Sequence, residues 1–209
     1  DNQKQIKQFK TNIIYSVPHE LQTPLNVILG YCKMMKEEYS NLTKEEIAEM
    51  CCDVHDSALR LTEVVRKFLM LTDVELNKDR KTFSRVNINT KTVSKLAGQI
   101  ADKYQRNSDL VLEIADFELD SVKEWFLFAL GELIDNAFKF SVPGAIVTVK
   151  SFRDDKNITL TISDHGRGFP PDSVEKINAF VQFDRKTKEQ QGTGLGLFIA
   201  KQIFLLHGG

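Results

Sequence analysis

The chain has 209 residues, of which 42% are apolar and 27% charged, and its formal net charge is −1. This composition excludes a disordered or collagen-like chain, and the lack of a basic surplus excludes a general nucleic-acid binder. No apolar run approaches the roughly 18 residues needed to span a bilayer, and no signal-peptide pattern opens the chain.

Residues 1–77 read as a helical hairpin. The first residues, Asp1-Asn2-Gln3-Lys4-Gln5-Ile6, already read as mid-helix, so a fragment of a longer protein is expected. Ile13, Val17, Leu21, Pro24, Ile28, Tyr31 and Met35 recur at three or four residues and mark one helix face. His19 lies about 200° from Val17 and Leu21, on the outward side. Pro18 and Pro24 flank it, each removing a helical hydrogen bond, so a bend is expected there. Tyr39 to Leu42 is the turn. Thr43 and Glu46 fit a capping box at the start of a second helix. In that helix Ile47, Cys51, Val54, Ala58, Leu61, Val65 and Phe68 form a heptad seam, widened by Val64 and Leu71. Two helices alone cannot bury such stripes, and a dimeric four-helix bundle solves the problem. Cys51 and His55 stand at i,i+4, but the seam position of Cys51 and the absence of further ligands argue against a metal site. The three cysteines, Cys32, Cys51 and Cys52, point to a reducing compartment without a disulfide framework.

Residues 78–209 read as an α/β domain. Only Gly30 and Gly98 precede residue 131, whereas nine glycines lie from Gly131 to the end, a shift in backbone demand that separates two domains. Asn77 to Lys81 is a polar linker. Strands are expected at 83–88, 110–114, 145–152 and 157–164, and helices at 89–106, 120–140 and 194–207. Helices on one side of a mixed sheet make a two-layer α/β sandwich.

Three segments of this half carry chemistry. Glu132, Asn136 and Lys139 share one side of the long helix. Their oxygen donors suit a magnesium ion and the lysine suits a phosphate, although a solvated helix face explains them as well. Asp164-His165-Gly166-Arg167-Gly168-Phe169 follows an alternating strand. A carboxylate there can accept from a base amine while the glycines admit a flat ligand; a plain turn is the alternative. Gly192-Thr193-Gly194-Leu195-Gly196-Leu197 opens the last helix as a phosphate cradle. The polar run from Arg185 to Gln191 before it reads as a lid.

Taken in order, these segments resemble the catalytic core of a sensor histidine kinase across essentially the whole chain. His19-Glu20-Leu21-Gln22-Thr23-Pro24-Leu25 looks like the family's phospho-acceptor motif. Glu132 through Asn136-Ala137-Phe138-Lys139-Phe140 looks like its N box, Asp164-x-Gly166-x-Gly168 like its G1 box, Phe180-x-x-Phe183-x-Arg185 like its F box, and Gly192 to Leu197 like its G2 box. The resemblance implies a dimerising phosphotransfer hairpin at 1–77 and a Bergerat-type ATP-binding fold at 78–209. It implies ATP and Mg2+ as ligands, a homodimer through the hairpin, and transfer of the γ-phosphoryl group to His19 and on to a response-regulator receiver. It implies no contact with nucleic acid, and a cytoplasmic fragment whose full-length protein attaches to a membrane, if at all, through an upstream sensor region. Asn136, with Glu132, would hold magnesium, and Lys139 would contact phosphate. Asp164 would read the adenine amine, and Gly166 and Gly168 would shape the base pocket beside Phe140 and Phe169. Arg185, Gly192, Thr193, Gly194, Leu195, Gly196 and Leu197 would belong to the lid and phosphate contacts. Glu20 would orient or deprotonate His19, and Thr23 would position a water in a phosphatase reaction.

The sequence departs from the family pattern in three places. Gln22 stands where a cation is usual. Glu132 stands where many members have Asn, and it also resembles the water-activating Glu of related ATPases. Family members normally continue past Gly209 into further strands, so an incomplete sheet edge is expected. A nucleotide-gated scaffold without transfer activity and an ATP hydrolase are the competing readings.

Overall fold

A computed structural model describes residues 2–79, 82–154, 157–168 and 194–209, with side chains from Val17 onward. The chain divides into two compact units, one running through Asp73 and the other beginning at Val74.

The first unit is built on α1 (Asn2–Glu38) and α2 (Lys44–Leu76). Val17 and Pro24 are buried on α1, and Leu21, Ile28, Tyr31 and Met35 are half-buried, as the three-four spacing predicts. Helix α1 is continuous through Pro18 and Pro24. Pro24 offers no N–H to the carbonyl of Glu20. One residue earlier, the Thr23 hydroxyl donates to the His19 carbonyl at 3.1 Å. The capping box forms at the head of α2: Glu46 Oε2 accepts from the Thr43 N–H at 2.8 Å, and Thr43 Oγ1 accepts from the Glu46 N–H at 3.2 Å. The Tyr31 hydroxyl bonds to Asp53 across the hairpin, and that bond to a carboxylate raises the phenol's pKa.

The seam on α2 differs from expectation. Buried positions are Ser57, Val64, Leu71 and Val74, whereas Cys51, Ala58, Val65 and Phe68 are exposed. Half-buried Val54 and Leu61 belong to both stripes. A stripe wider than two positions per heptad has two flanks, and its period alone does not say which flank is covered within one chain.

The second unit holds two sheets. Strand β1 (Arg85–Ile88) pairs antiparallel with β3 (Phe117–Asp120), Val86 opposite Leu119. Strands β2 (Leu110–Glu113), β4 (Val147–Arg153) and β5 (Ile158–Ser163) form the second sheet in the order β2-β4-β5, with β2/β4 parallel and β4/β5 antiparallel. The sequence reading missed β3 and began the long helix at Asp120. A strand of only four residues leaves too few alternations for a period to show, and the helix starts at Lys123. Helices α3 (Thr90–Lys103) and α4 (Lys123–Phe140) cover the mixed sheet. Val93, Ala97, Leu130, Ile134, Val147 and Val149 are fully buried in the core between them. Helix α5 (Leu195–Leu206) buries Leu195, Ile199, Ala200 and Ile203.

The C-terminal end of α4 is held by a buried arginine. Arg106 Nε donates to Asp109 Oδ2 at 2.6 Å. Its Nη1 donates to the Phe138 carbonyl at 2.9 Å and to the Ser141 carbonyl and hydroxyl at 3.1 Å each. Its Nη2 reaches the Ala145 carbonyl at 2.7 Å. The Ser141 hydroxyl donates in turn to the Ala137 carbonyl at 2.6 Å. A helix leaves its last carbonyls without intrahelical partners, and here a guanidinium and a serine supply them. Asp109 completes the clamp by accepting the Gly144 N–H at 2.9 Å. Gly144 has φ +86°, a conformation that favours glycine.

The Arg106 guanidinium and the Gly144 amide hold the Asp109 carboxyl below its ordinary range. Its ionised form therefore stabilises the fold above the unfolded-state pKa of about 3.9, and that contribution is lost as pH falls through the lower folded value. Asp109→Asn is expected to lower the urea midpoint at pH 7, with the gap to the parent narrowing by pH 3.

Candidate nucleotide site and phospho-acceptor helix

Helix α4 positions Glu132, Asn136, Lys139 and Phe140. The solvated-face alternative fails at Glu132, which is 6% exposed. Burial of a carboxylate is costly unless partners compensate, so its place on this helix requires an explanation beyond solubility. Asn136, one turn on, is half-buried, as are Lys139 and Phe140. The face of α4 toward α3 is braced separately. Lys103 Nζ and the Tyr104 hydroxyl both donate to Asp135 Oδ1, at 2.7 and 3.1 Å. The Tyr104 ring stacks on Phe138 with centroids 5.9 Å apart. Burial, then the charge of Asp135, pushes the Tyr104 phenol well above its ordinary range, with Glu132 adding in the same direction.

The loop after β5 meets the last turn of α4. Asp164 is the first residue beyond the strand, and its Oδ1 accepts the Gly166 N–H at 2.7 Å. A Cβ on Gly166 would overlap the Phe140 carbonyl and fall 2.7 Å from Asp164 Oδ1. Only glycine permits this approach. Arg167 crosses the same junction, its guanidinium carbon 4.8 Å from the Phe140 ring centroid, and Lys139 Nζ lies 5.4 Å from that centroid. The structure thus brings together Lys139, Phe140, Asp164 and Gly166, which the sequence placed in two separate motifs.

Gly194, Leu195, Gly196 and Leu197 lie at the start of α5, with Gly194 at φ +67° and Leu195 and Gly196 buried. The N–H groups of a helix's first turn offer a site for phosphate. Phe169, Arg185, Gly192 and Thr193, with Phe180, Phe183 and the expected lid, lie outside the described residues.

On α1, His19 is exposed as expected, Glu20 is half-buried, and Gln22 and Thr23 are exposed on the same side as His19. Sequence reasoning missed Arg106, Asp109, Lys103, Tyr104 and Asp135. The Arg-x-x-Asp spacing at 106–109 was the available signal, but a charged pair in a loop ordinarily reads as solvated.

Residues 9–77 match the His Kinase A (phospho-acceptor) domain, and residues 122–209 match the histidine kinase-, DNA gyrase B- and HSP90-like ATPase domain. A phospho-acceptor hairpin followed by an ATP-binding domain is the architecture of one class of signalling protein. The chain belongs to the sensor histidine kinases. It is 32% identical over 206 residues to an uncharacterised sensor-like histidine kinase of Rhizobium meliloti (strain 1021), the match covering 96% of this chain and 39% of that protein. The chain therefore spans well under half the length of this curated relative. The histidine kinase AdeS of Acinetobacter baumannii shares the fold with a TM-score of 0.63 at 21% identity, over 90% of this chain and 86% of that one. The histidine kinase ThkA, solved in complex with the response regulator TrrA, shares it with a TM-score of 0.57 at 15% identity, over 86% and 54% of the two chains. No helix among the described residues is long and apolar enough to cross a membrane.

Gly166→Ala is expected to weaken binding of a non-hydrolysable ATP analogue by about tenfold or more, because the loop must back away from Phe140. Calorimetric titration checks this, with a circular-dichroism spectrum like the parent's as the control for folding.

Proposed function

We propose that this chain is the catalytic core of a two-component sensor kinase, which phosphorylates itself on His19 and passes the phosphoryl group to an aspartate of a response-regulator receiver. The observation that carries the reading is the coexistence, in one chain, of an exposed His19 and a site in which Lys139, Phe140, Asp164 and Gly166 converge. An unprotonated ring nitrogen of His19 attacks the γ-phosphorus of ATP, forming an N–P bond as the Pγ–O bond breaks and ADP leaves. Glu20 accepts the proton of the other ring nitrogen and keeps the ring oriented. Asp164 Oδ1 accepts the Gly166 N–H, which orients a carboxylate able to accept from an adenine amine. Lys139 offers a point charge to phosphate oxygens, and the first turn of α5 offers backbone N–H groups.

Glu132 and Asn136 present oxygen donors one helical turn apart, a set that fits a hard divalent cation such as Mg2+. When bound, such an ion neutralises phosphate charge. Thr23 supports a phosphatase reaction as well. Its hydrogen is committed to the His19 carbonyl, so its lone pairs remain to accept from a water.

We further propose that residues 1–77 dimerise and that residues 78–209 form the catalytic domain. Exposed Val65, Phe68 and Leu69 on α2, with Leu25 and Leu29 on α1, support an apolar bundle interface with a second copy. ATP-dependent transfer fits a cytoplasmic position for this part of the protein.

Incubation with γ-labelled ATP and Mg2+ tests the reading. The parent is expected to take up acid-labile label, and His19→Gln is expected to lose it by at least about 100-fold. A folded, ATP-binding parent without label would sink the kinase. Phosphate release that is unchanged in His19→Gln would identify a hydrolase.

A further inference from the structure

We infer that Arg106 is a positioning residue for the nucleotide site, acting through the carbonyls that bracket Lys139 and Phe140. The inference rests on the nucleotide reading above and adds to it a residue outside every motif of the site.

The contacts form a continuous chain. Arg106 is 5% exposed and spends its guanidinium on Asp109 and on the carbonyls of Phe138, Ser141 and Ala145. Phe138 and Ser141 are the residues immediately before and after Lys139-Phe140. The two side chains assigned to phosphate and base are thus carried on a segment pinned at both ends by one planar group. The carbonyl of Phe140 then forms the wall against which Gly166 packs, and the Gly166 N–H holds Asp164 Oδ1. A shift of the helix end would move Lys139 and Phe140 directly, and would move Asp164 through Gly166. The Arg106 guanidinium carbon also lies 5.1 Å from the Phe138 ring centroid.

A lysine at this position keeps the charge but cannot reproduce the fork. One ammonium cannot reach Asp109, the helix end and the Ala145 carbonyl with the same geometry. Displacements on the order of 1 Å in a positioned site cost up to about 100-fold in rate. Arg106→Lys is therefore expected to separate nucleotide affinity from stability.

The test uses the whole chain and non-hydrolysable ATP and GTP analogues in calorimetric titration, with melting curves alongside. Arg106→Lys is expected to melt cooperatively, to bind the ATP analogue about tenfold or more weakly, and to discriminate adenine from guanine less well than the parent. Its apparent KM for ATP in autophosphorylation rises more than its kcat falls. Val93→Ala, a core truncation in α3, serves as a stability control and is expected to lower the melting temperature while keeping the affinity. Ser141→Ala removes one hydroxyl from the clamp. It carries the test if Arg106→Lys does not fold, and is expected to show a smaller loss of affinity in the same direction. Unchanged affinity and discrimination in the folded Arg106→Lys protein, or in Ser141→Ala where it stands in, overturns the inference. So does an equal loss in Val93→Ala, which would make the effect one of general stability. A parent that binds no adenine nucleotide overturns the nucleotide reading and this inference together; a parent that binds, with a variant that binds equally, overturns this inference alone.

Discussion

The C-terminal end of helix α4 sets the problem for the second unit. The last turn of any helix exposes carbonyls that nothing within the helix can satisfy. Elsewhere water would do this, but Ala137 and Phe138 are buried in the core. The solution is a buried guanidinium with its carboxylate. An arginine taken out of water is costly unless its donors are matched, and here Asp109 and three backbone carbonyls match them. Everything attributed to the N box then follows from a helix end that is fixed in position. The Ser141–Gly144 turn is closed by the same Asp109, and the loop after β5 has a rigid surface to lie on.

Much of this was legible before any coordinates. Helix faces on α1, the capping box at Thr43 and Glu46, and the strands of the mixed sheet follow from periodicity and local chemistry. What was not legible has a common physical origin. β3 is too short to carry a period. The covered flank of α2 depends on tertiary packing, which a repeat of three and four cannot specify. The Arg106 clamp is assembled from residues 106, 109, 138, 141, 144 and 145, and its signal is an ordinary charged loop. Of the site itself, Glu132, Asn136 and Lys139 were legible as a stripe, but the burial of Glu132 was not. A polar stripe reads the same whether water or protein lies against it.

The contact between Phe140 and Gly166 shows what the structure adds to motifs. In sequence the N box and the G1 box are separated by β4 and β5, and each permits a bland explanation. In space, the glycine that permits the turn is the one whose missing Cβ lets the loop touch the helix. The bland explanation for Gly166, a turn residue, is therefore incomplete. The same atom that a turn would spare is the one the site could not tolerate.

In the proposed reaction, donor and acceptor chemistry make opposite demands. A site that holds ATP gains from burial, because its charges act more strongly with water excluded. A histidine that gives up its phosphoryl group to a second protein must stay reachable. His19 is exposed on α1, in the unit that runs through Asp73; in the unit that starts at Val74 Glu132 is buried, Asn136, Lys139 and Phe140 are half-buried, and Asp164 to Gly168 are exposed. Direct transfer requires reacting atoms within about 3–3.5 Å, so the proposed reaction brings a ring nitrogen of His19 that close to the γ-phosphorus. Around His19, Thr23 is oriented by a backbone carbonyl rather than by the ring, and Gln22 supplies a neutral amide where a cation would stabilise the phosphorylated product. In the proposed site Lys139 is carried on a helix end whose Phe138 and Ser141 carbonyls accept from Arg106. In the proposed transfer the donor site thus carries a lysine, Lys139, whereas the residue three on from His19 is the neutral Gln22.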